Sequence, residues 1–544
     1  MASKYASHVQ TKQTPQSEAV RGKKQVRNNA GGYTFQVTPW VRLERFLILG
    51  HEQGTYYAGA RKLTIETVDC IDACLREDYT RTVDVIVDIS ANGRAPKNDP
   101  AIFALAYIAG HHKGTPASQY ALTKLNSVCR IGTHLADFLN AVTQFRGWGD
   151  GLKNAVAGWY TGRSPYALAR QVTKYQSRNG WSHRDILRKA HPQMEGLGQE
   201  VLQYVTQKDK WVDTESVEHG SDANQLLMVV EEAKTASKSR LIKLIKDSGL
   251  EREHIPTEMQ RDPDVWMALL PNLGVTAIMR NLGRLSNIGL LKPLGQATKL
   301  IQAKLTDAEA IKAQRVHPVT ALIAQKQYEQ GRGGLGKLAW DVVPQIVDTL
   351  EQTVMLGFDA VEPTGKNFYL GVDVSGSMSH PCGATPHLRC CEGAAIMALL
   401  AARTEPNYFI RGFTSDSGGW SRRDTRLTDL GFTARDKFSD ACRKTRHHNF
   451  GGTDCALPML DAIDKRLDVD VFCVYTDNET WAGNIHPFQA LEKYRQFIGH
   501  SAKLAVFGLA GNDFTIADPT DPDMIDFVGF DAAAPTVLAD FAKS

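Results

Sequence analysis

The chain predicts a long array of helices followed by a doubly wound α/β domain, with the boundary near residue 365. From about 35 to 360, apolar residues recur at helical spacing and no stretch alternates as a strand. After Glu362-Pro363-Thr364-Gly365, apolar strands appear at Asn367–Val374, Tyr408–Phe413, Val469–Tyr475 and Lys503–Leu509, with helical segments between them. Charge divides the chain as well. Residues 1–190 carry 26 Lys and Arg against 14 Asp and Glu, leaving +12, whereas residues 366–544 carry 18 against 23, leaving −5.

The helical part reads in order as Arg42–Leu49, Ala101–Gly110, Gln119–Val128, Thr133–Gln144, Tyr166–Arg178, Ser182–Ala190, Asp264–Leu270, Val275–Leu282 and Pro318–Tyr328. Asn92-Gly93, Gly114-Thr115, Asn179-Gly180 and Pro271-Asn272 punctuate it. Many successive helices suggest stacked pairs in a HEAT-like solenoid, without a clean repeat consensus. Residues 1–30 are basic and polar (Lys23, Lys24, Arg27) and are expected to be flexible. The expected domains are therefore 1–30, 31–365 and 366–544.

Composition bounds the function. The chain has 544 residues, 42% hydrophobic and 23% charged, so a large core is available. The polar start reads as no secretion signal, and no segment approaches the roughly 20 apolar residues of a membrane span. Nine scattered cysteines, an odd number, read as reduced thiols in a cytoplasmic protein without a membrane partner. The basic first third points to a polyanion partner.

The densest chemistry lies in Asp373-Val374-Ser375-Gly376-Ser377, which follows a strand pattern and precedes a helix. A carboxylate and two hydroxyls there offer hard oxygen ligands to one small cation such as Mg²⁺. Thr453, within Phe450-Gly451-Gly452-Thr453-Asp454, adds a hydroxyl, and Asp477 adds a second carboxylate at a strand end. In open α/β sheets, ligands sit at the carboxyl ends of strands. Capping of the next helix alone would explain Ser375 and Ser377 but not the other two segments.

A second candidate is cationic. Arg170, Lys174 and Arg178 fall one turn apart, opposite the apolar Leu168, Val172 and Tyr175, and such a stripe can track phosphates. Ser182 and Asp185 form a capping-box pattern, placing His183 in a phosphate-receptive first turn. A solvated helix face is the plain alternative.

Several segments carry a resemblance. Asp373, Ser375, Ser377, Thr453 and Asp477 resemble the metal-ion-dependent adhesion site of a von Willebrand factor A domain. Gln36-Val37-Thr38 with Arg42-Leu43-Glu44-Arg45-Phe46-Leu47, Gly54-Thr55-Tyr56-Tyr57, Cys129 to Leu135, Arg178 to His183, Arg280-Asn281-Leu282-Gly283, His317-Pro318, Val361 to Lys366 and Phe514 to Pro519 are similar to the Ro autoantigen (TROVE-domain) family. A bacterial or phage-type member is expected. The resemblance covers about residues 25–544. It implies an α-helical HEAT-like ring closed by the A domain, small noncoding Y RNA on a basic outer surface, misfolded RNA with single-stranded 3′ ends in the central hole, and association with a 3′-to-5′ exoribonuclease in RNA quality control. It adds Arg130 and His134 to Arg170, Lys174, Arg178 and His183 as RNA contacts. A monomer without catalysis is expected.

One segment departs from the family pattern. His380 to Cys391 intervenes before the helix and holds two His and three Cys. Zinc is conceivable there, although Cys390-Cys391 also reads as the start of a buried helix. The rival functions are a metal-dependent nuclease and a metal-dependent protein-interaction scaffold. Nuclease chemistry with two ions needs a larger carboxylate cluster than Asp373 and Asp477 supply.

Overall fold

The computed structural model describes residues 13–50, 60–207, 211, 221–333, 338–358, 361–382, 385–415, 427–448 and 451–544. Gly54 to Tyr57, Phe450 and the first twelve residues lie outside them.

Helices fill the region from Pro39 to Leu356. Several begin with a proline whose fixed φ suits the first turn, behind a cap: Thr38 before Pro39–Leu49, Thr115 before Pro116–Thr123, Ser164 before Pro165–Lys174, and His317 before Pro318–Glu329. The stretch Ala60–Ala91 is helical with a break at Asp78. Successive helices pack on their neighbours, and the two ends of the array meet at Ala91 to Gly93 and Arg315. Arg315 Nε donates to the carbonyl of Ala91, and Gly93, at φ +70°, packs so close that a Cβ there would lie 2.8 Å from Arg315 Cβ.

Two differences from the expected helices matter. The helix from Pro165 stops at Lys174, and Arg178 lies instead on a short hairpin. Asn179 and Gly180, both at positive φ, form its two-residue turn. Second, strands enter the first forty residues. β1 (Gln25–Arg27) pairs with β2 (Tyr33–Gln36), and the hairpin is β3 (Ser177–Arg178) and β4 (Trp181–Ser182). Residues 13–30 pack against the C-terminal domain through Gln16, Lys23, Asn28 and Asn29.

In that domain β5 (Asn367–Asp373) is buried along nearly its whole length. β6 (Pro381–Cys382) and β7 (Thr385–Arg389) make a small hairpin, followed by β8 (Asn407–Phe413), β9 (Leu427–Thr428), β10 (Val471–Thr476), β11 (Lys503–Gly508), β12 (Phe514–Thr515) and β13 (Met524–Val528). The six-stranded sheet runs β13-β11-β10-β5-β8-β9, parallel except for β9. β12 pairs with β2, joining the N-terminal strands to this domain. Helices cover both faces, including Cys390–Thr404, which Cys390 and Cys391 open as buried residues.

The α/β domain spans the place where the ring closes. Arg45, fully buried, reaches both carboxylate oxygens of Asp526 of β13 through Nη2, at 2.7 and 2.8 Å. Arg94 pairs with Asp531 at 2.6 Å, His317 bonds to Phe530, and Lys326 meets the buried Glu392 at 2.7 Å. The first and last parts of the helical array therefore contact the same domain.

Candidate functional site

β10 and β8 flank β5 on opposite sides, so the chain direction across the sheet reverses at β5. The crevice outside the carboxyl ends of β5 and β10 is where such sheets bind ligands. Asp373 ends β5 and Asp477 follows β10. Asp373, Ser375, Ser377, Thr453 and Asp477 are all buried there.

Hydrogen bonds join Asp373, Ser375, Ser377 and Asp477 into one cluster. Ser375 N–H donates to Asp373 Oδ1 at 2.9 Å, and Thr476 Oγ1 donates to Asp373 Oδ2 at 2.6 Å. The Ser375 and Ser377 hydroxyls lie 3.2 Å apart, and the Ser377 hydroxyl bonds to Asp477. Gly376 N–H donates to Gly451 O at 3.2 Å, tying the first loop to the one that carries Thr453. Gly451 sits at φ +76°, and a Cβ there would meet Ser415 O at 2.7 Å, so only glycine lets these loops approach.

The electrostatics call for a cation. Burial, and then the charge of Asp477, push Asp373 up to about 7; burial likewise raises Asp477. Among the described residues no positive charge is among the main influences on either group, and two buried carboxylates without one are costly. Thr453 Oγ1 is buried with no hydrogen-bond partner among the described residues. An orphaned hydroxyl on a loop tied to the one that carries Ser375 and Ser377, with two buried carboxylates in the cluster, fits the donor set of a hard divalent cation.

In the intervening segment, the His387 side chain lies outside the described residues. Cys382 and Cys390 are buried with Sγ atoms 3.3 and 3.6 Å from Leu509 O. Among the described residues no group of three His, Cys, Asp or Glu could hold a metal ion.

The cationic candidates separate into three places. Arg130, His134 and Arg178 line one cavity of about 520 Å³ where the ring closes, together with Lys97, Arg280 and Arg315 and the carboxylates Asp99 and Asp137. Arg178 Nε lies 2.7 Å from Asp137, and Arg130 Nη1 donates to Ser90 Oγ at 2.8 Å. Burial and Arg130 lower His134 to about 4, so it is neutral there. Arg170 and Lys174 instead converge on Glu251, with Arg170 Nε at 2.6 Å. His183 follows the capping box as expected, but its ring turns inward. It is 4% exposed, lies 6.1 Å from the Trp159 ring in a stacked arrangement, and bonds through Nδ1 to Tyr160 OH at 2.8 Å. A base cannot stack on it in this arrangement. The helical stripe is thereby corrected: Lys174 ends a helix and Arg178 begins a turn. Lys97, Arg280 and Arg315 line the cavity of Arg130 and His134 as well, and of the three only Arg280 lies inside a family-like segment of the sequence.

A helical ring closed on itself and sealed by an α/β domain, with a cation-type loop set and a basic cavity at the closure, defines a ring protein of the von Willebrand A type. Comparison with known proteins narrows it. The TROVE domain matches residues 26–249 and 248–332, and the Ro60 vWA domain matches 367–542. The RNA-binding protein RO60 of Deinococcus radiodurans is 40% identical over 97% of both chains, and that of Caenorhabditis elegans is 33% identical over 95% of this chain and 90% of its own. The crystal structure of the Deinococcus radiodurans RO (RSR) protein superposes with a TM-score of 0.67 at 39% identity, covering 93% of this chain and 99% of that one. The chain belongs to the Ro60 family of TROVE-domain proteins. No helix among the described residues is long and apolar enough to cross a membrane.

Proposed function

We propose that the protein binds RNA without cutting it, taking single-stranded 3′ ends of misfolded RNA at the ring closure and small structured Y RNA on its basic outer surface. The observation that carries this is the cavity itself, which sets Lys97, Arg130, Arg178, Arg280 and Arg315 against two carboxylates. Guanidinium groups suit phosphate because their forked donors match its oxygens. The relatives' name, RNA-binding protein, supports the same reading. Asp373, Ser375, Ser377, Thr453 and Asp477 would hold one Mg²⁺-like cation. When bound, that ion would offer a positive charge to an incoming oxygen ligand. The donor set has two carboxylates, which suits one ion rather than a two-metal nuclease. This domain would serve as an adaptor surface, with an exoribonuclease as partner, in a cytoplasmic monomer.

The test is binding of a hairpin RNA with and without a single-stranded 3′ tail. Arg178→Ala with Arg280→Ala should weaken the tailed RNA at least about tenfold and lower the salt slope by about two. Unchanged affinity for the tailed RNA would remove the cavity from the binding surface.

A further inference from the structure

The loops of the cation site are held by the opposite end of the chain. Gln16 is completely buried, and every polar group of it is engaged. Its Nε2 donates to Asp454 Oδ1 and to Ile485 O, both at 2.8 Å, and its Oε1 accepts from Thr480 Oγ1. Its backbone N–H donates to Gly483 O at 2.8 Å, and its carbonyl accepts from Tyr33 N–H at 2.8 Å. Farther along, Asn28 Nδ2 donates to Thr480 O at 2.8 Å. Asn29 Nδ2 reaches Glu479 Oε1 at 2.8 Å, and Ala30 N–H reaches Glu479 Oε2 at 3.2 Å.

These partners surround the cation-site residues in sequence. Asp454 follows Thr453, and Glu479 and Thr480 follow Asp477. The Thr453 carbonyl accepts from Trp481 N–H at 3.1 Å and from Ala482 N–H at 3.0 Å, so the two loops are joined immediately beside Thr480, which Gln16 and Asn28 hold. Two carboxylates next to the site, Asp454 and Glu479, are occupied by donors from residues 16–30. Asp454 Oδ1 also accepts from Ala456 N–H at 3.1 Å.

We infer that residues 13–36 are a strap coupled to the cation site, with Gln16 and Asn29 as positioning residues that set the loops carrying Thr453 and Asp477. The inference rests on the cation reading above. Coupling between sites is reciprocal, so if the strap favours the ion-binding arrangement, the ion must stabilise the strap by the same factor.

Hydrogen exchange on the full chain with and without Mg²⁺ tests this. With saturating Mg²⁺, amides in residues 13–36 should exchange more slowly by roughly fivefold or more, and this protection should vanish in Asp373→Ala. In calorimetry with Mn²⁺, Gln16→Ala should weaken affinity by a similar factor, which loss of fold stability alone would not produce. If the unaltered chain binds neither ion, the cation reading fails and takes the strap with it. If it binds Mg²⁺ while exchange in 13–36 is unchanged, the strap is overturned and the cation site stands. Should Gln16→Ala fail to fold, the exchange measurement on the unaltered chain still decides.

Discussion

His317 Nε2 donates to the carbonyl of Phe530 at 2.8 Å, from the end of the helical ring to the last loop of the α/β domain. The same N–H lies 3.1 Å from Arg94 O, near the ring's beginning. Nδ1 accepts from Val319 N–H at 3.2 Å, which fixes the tautomer and caps the helix at once. Phe530 is held at φ +68°, a conformation a phenylalanine adopts only when its surroundings impose it. One buried imidazole thus joins both ends of the ring to the domain that seals it.

His317→Ala should cost about 1–3 kcal/mol, because two buried carbonyls lose their donor. Chemical unfolding measures it. A loss below about 0.5 kcal/mol would show that water or a neighbour replaces the imidazole.

Acid should destabilise the protein through its buried histidines. Burial holds His134, His183, His254 and His317 down to about 4. An unfolded histidine titrates near about 6.5, so between those values the unfolded chain binds more protons. Their stabilisation is complete above about pH 6.5 and is lost as pH falls toward 4. Asp373 and Glu479, raised to about 7, act with the opposite sign. The histidine share is therefore read by difference: His183→Gln should shrink the stability change between about pH 7.5 and about pH 5 by about 2 kcal/mol. An identical pH dependence in the variant would refute the assignment.

Asp373→Asn separates charge from coordination. It removes one of two facing buried carboxylates, so the metal-free protein should become more stable by on the order of 1 kcal/mol. Mg²⁺ should raise the melting temperature of the unaltered protein and leave that of the variant where it is. A variant still stabilised by Mg²⁺ would place the ion elsewhere.

Arg170 and Lys174 should matter to the fold more than to RNA. Both converge on Glu251, whose side chain is 9% exposed. Replacing both by alanine leaves a buried carboxylate unpaired and should cost about 2 kcal/mol or more. Affinity for tailed RNA should fall less than in Arg178→Ala with Arg280→Ala. The reverse ranking would restore the basic stripe as the binding surface.

Local chemistry made much of this legible in advance. The strand-end spacing of Asp373, Ser375 and Ser377, the change of period near 365, and the Ser182–Asp185 capping box depend on a few consecutive residues, and each recurs in the folded chain. The Asn179-Gly180 turn was legible too, as a hairpin signal, but the apolar face running through Tyr175 favoured a longer helix.

The order of elements, the division into a helical and an α/β part, and the placing of Asp373, Ser375, Ser377, Thr453 and Asp477 at strand ends and loops could be read from the chain, because periodicity, caps and turns act over a few residues. Packing alone settled which cations share a cavity, that His183 turns into the core, that Glu251 claims Arg170 and Lys174, and that Gln16 lies beneath loops more than four hundred residues away. Those outcomes depend on which distant surfaces meet when the ring closes. A side chain's charge is written in the sequence, but its partner and its exposure are set by packing.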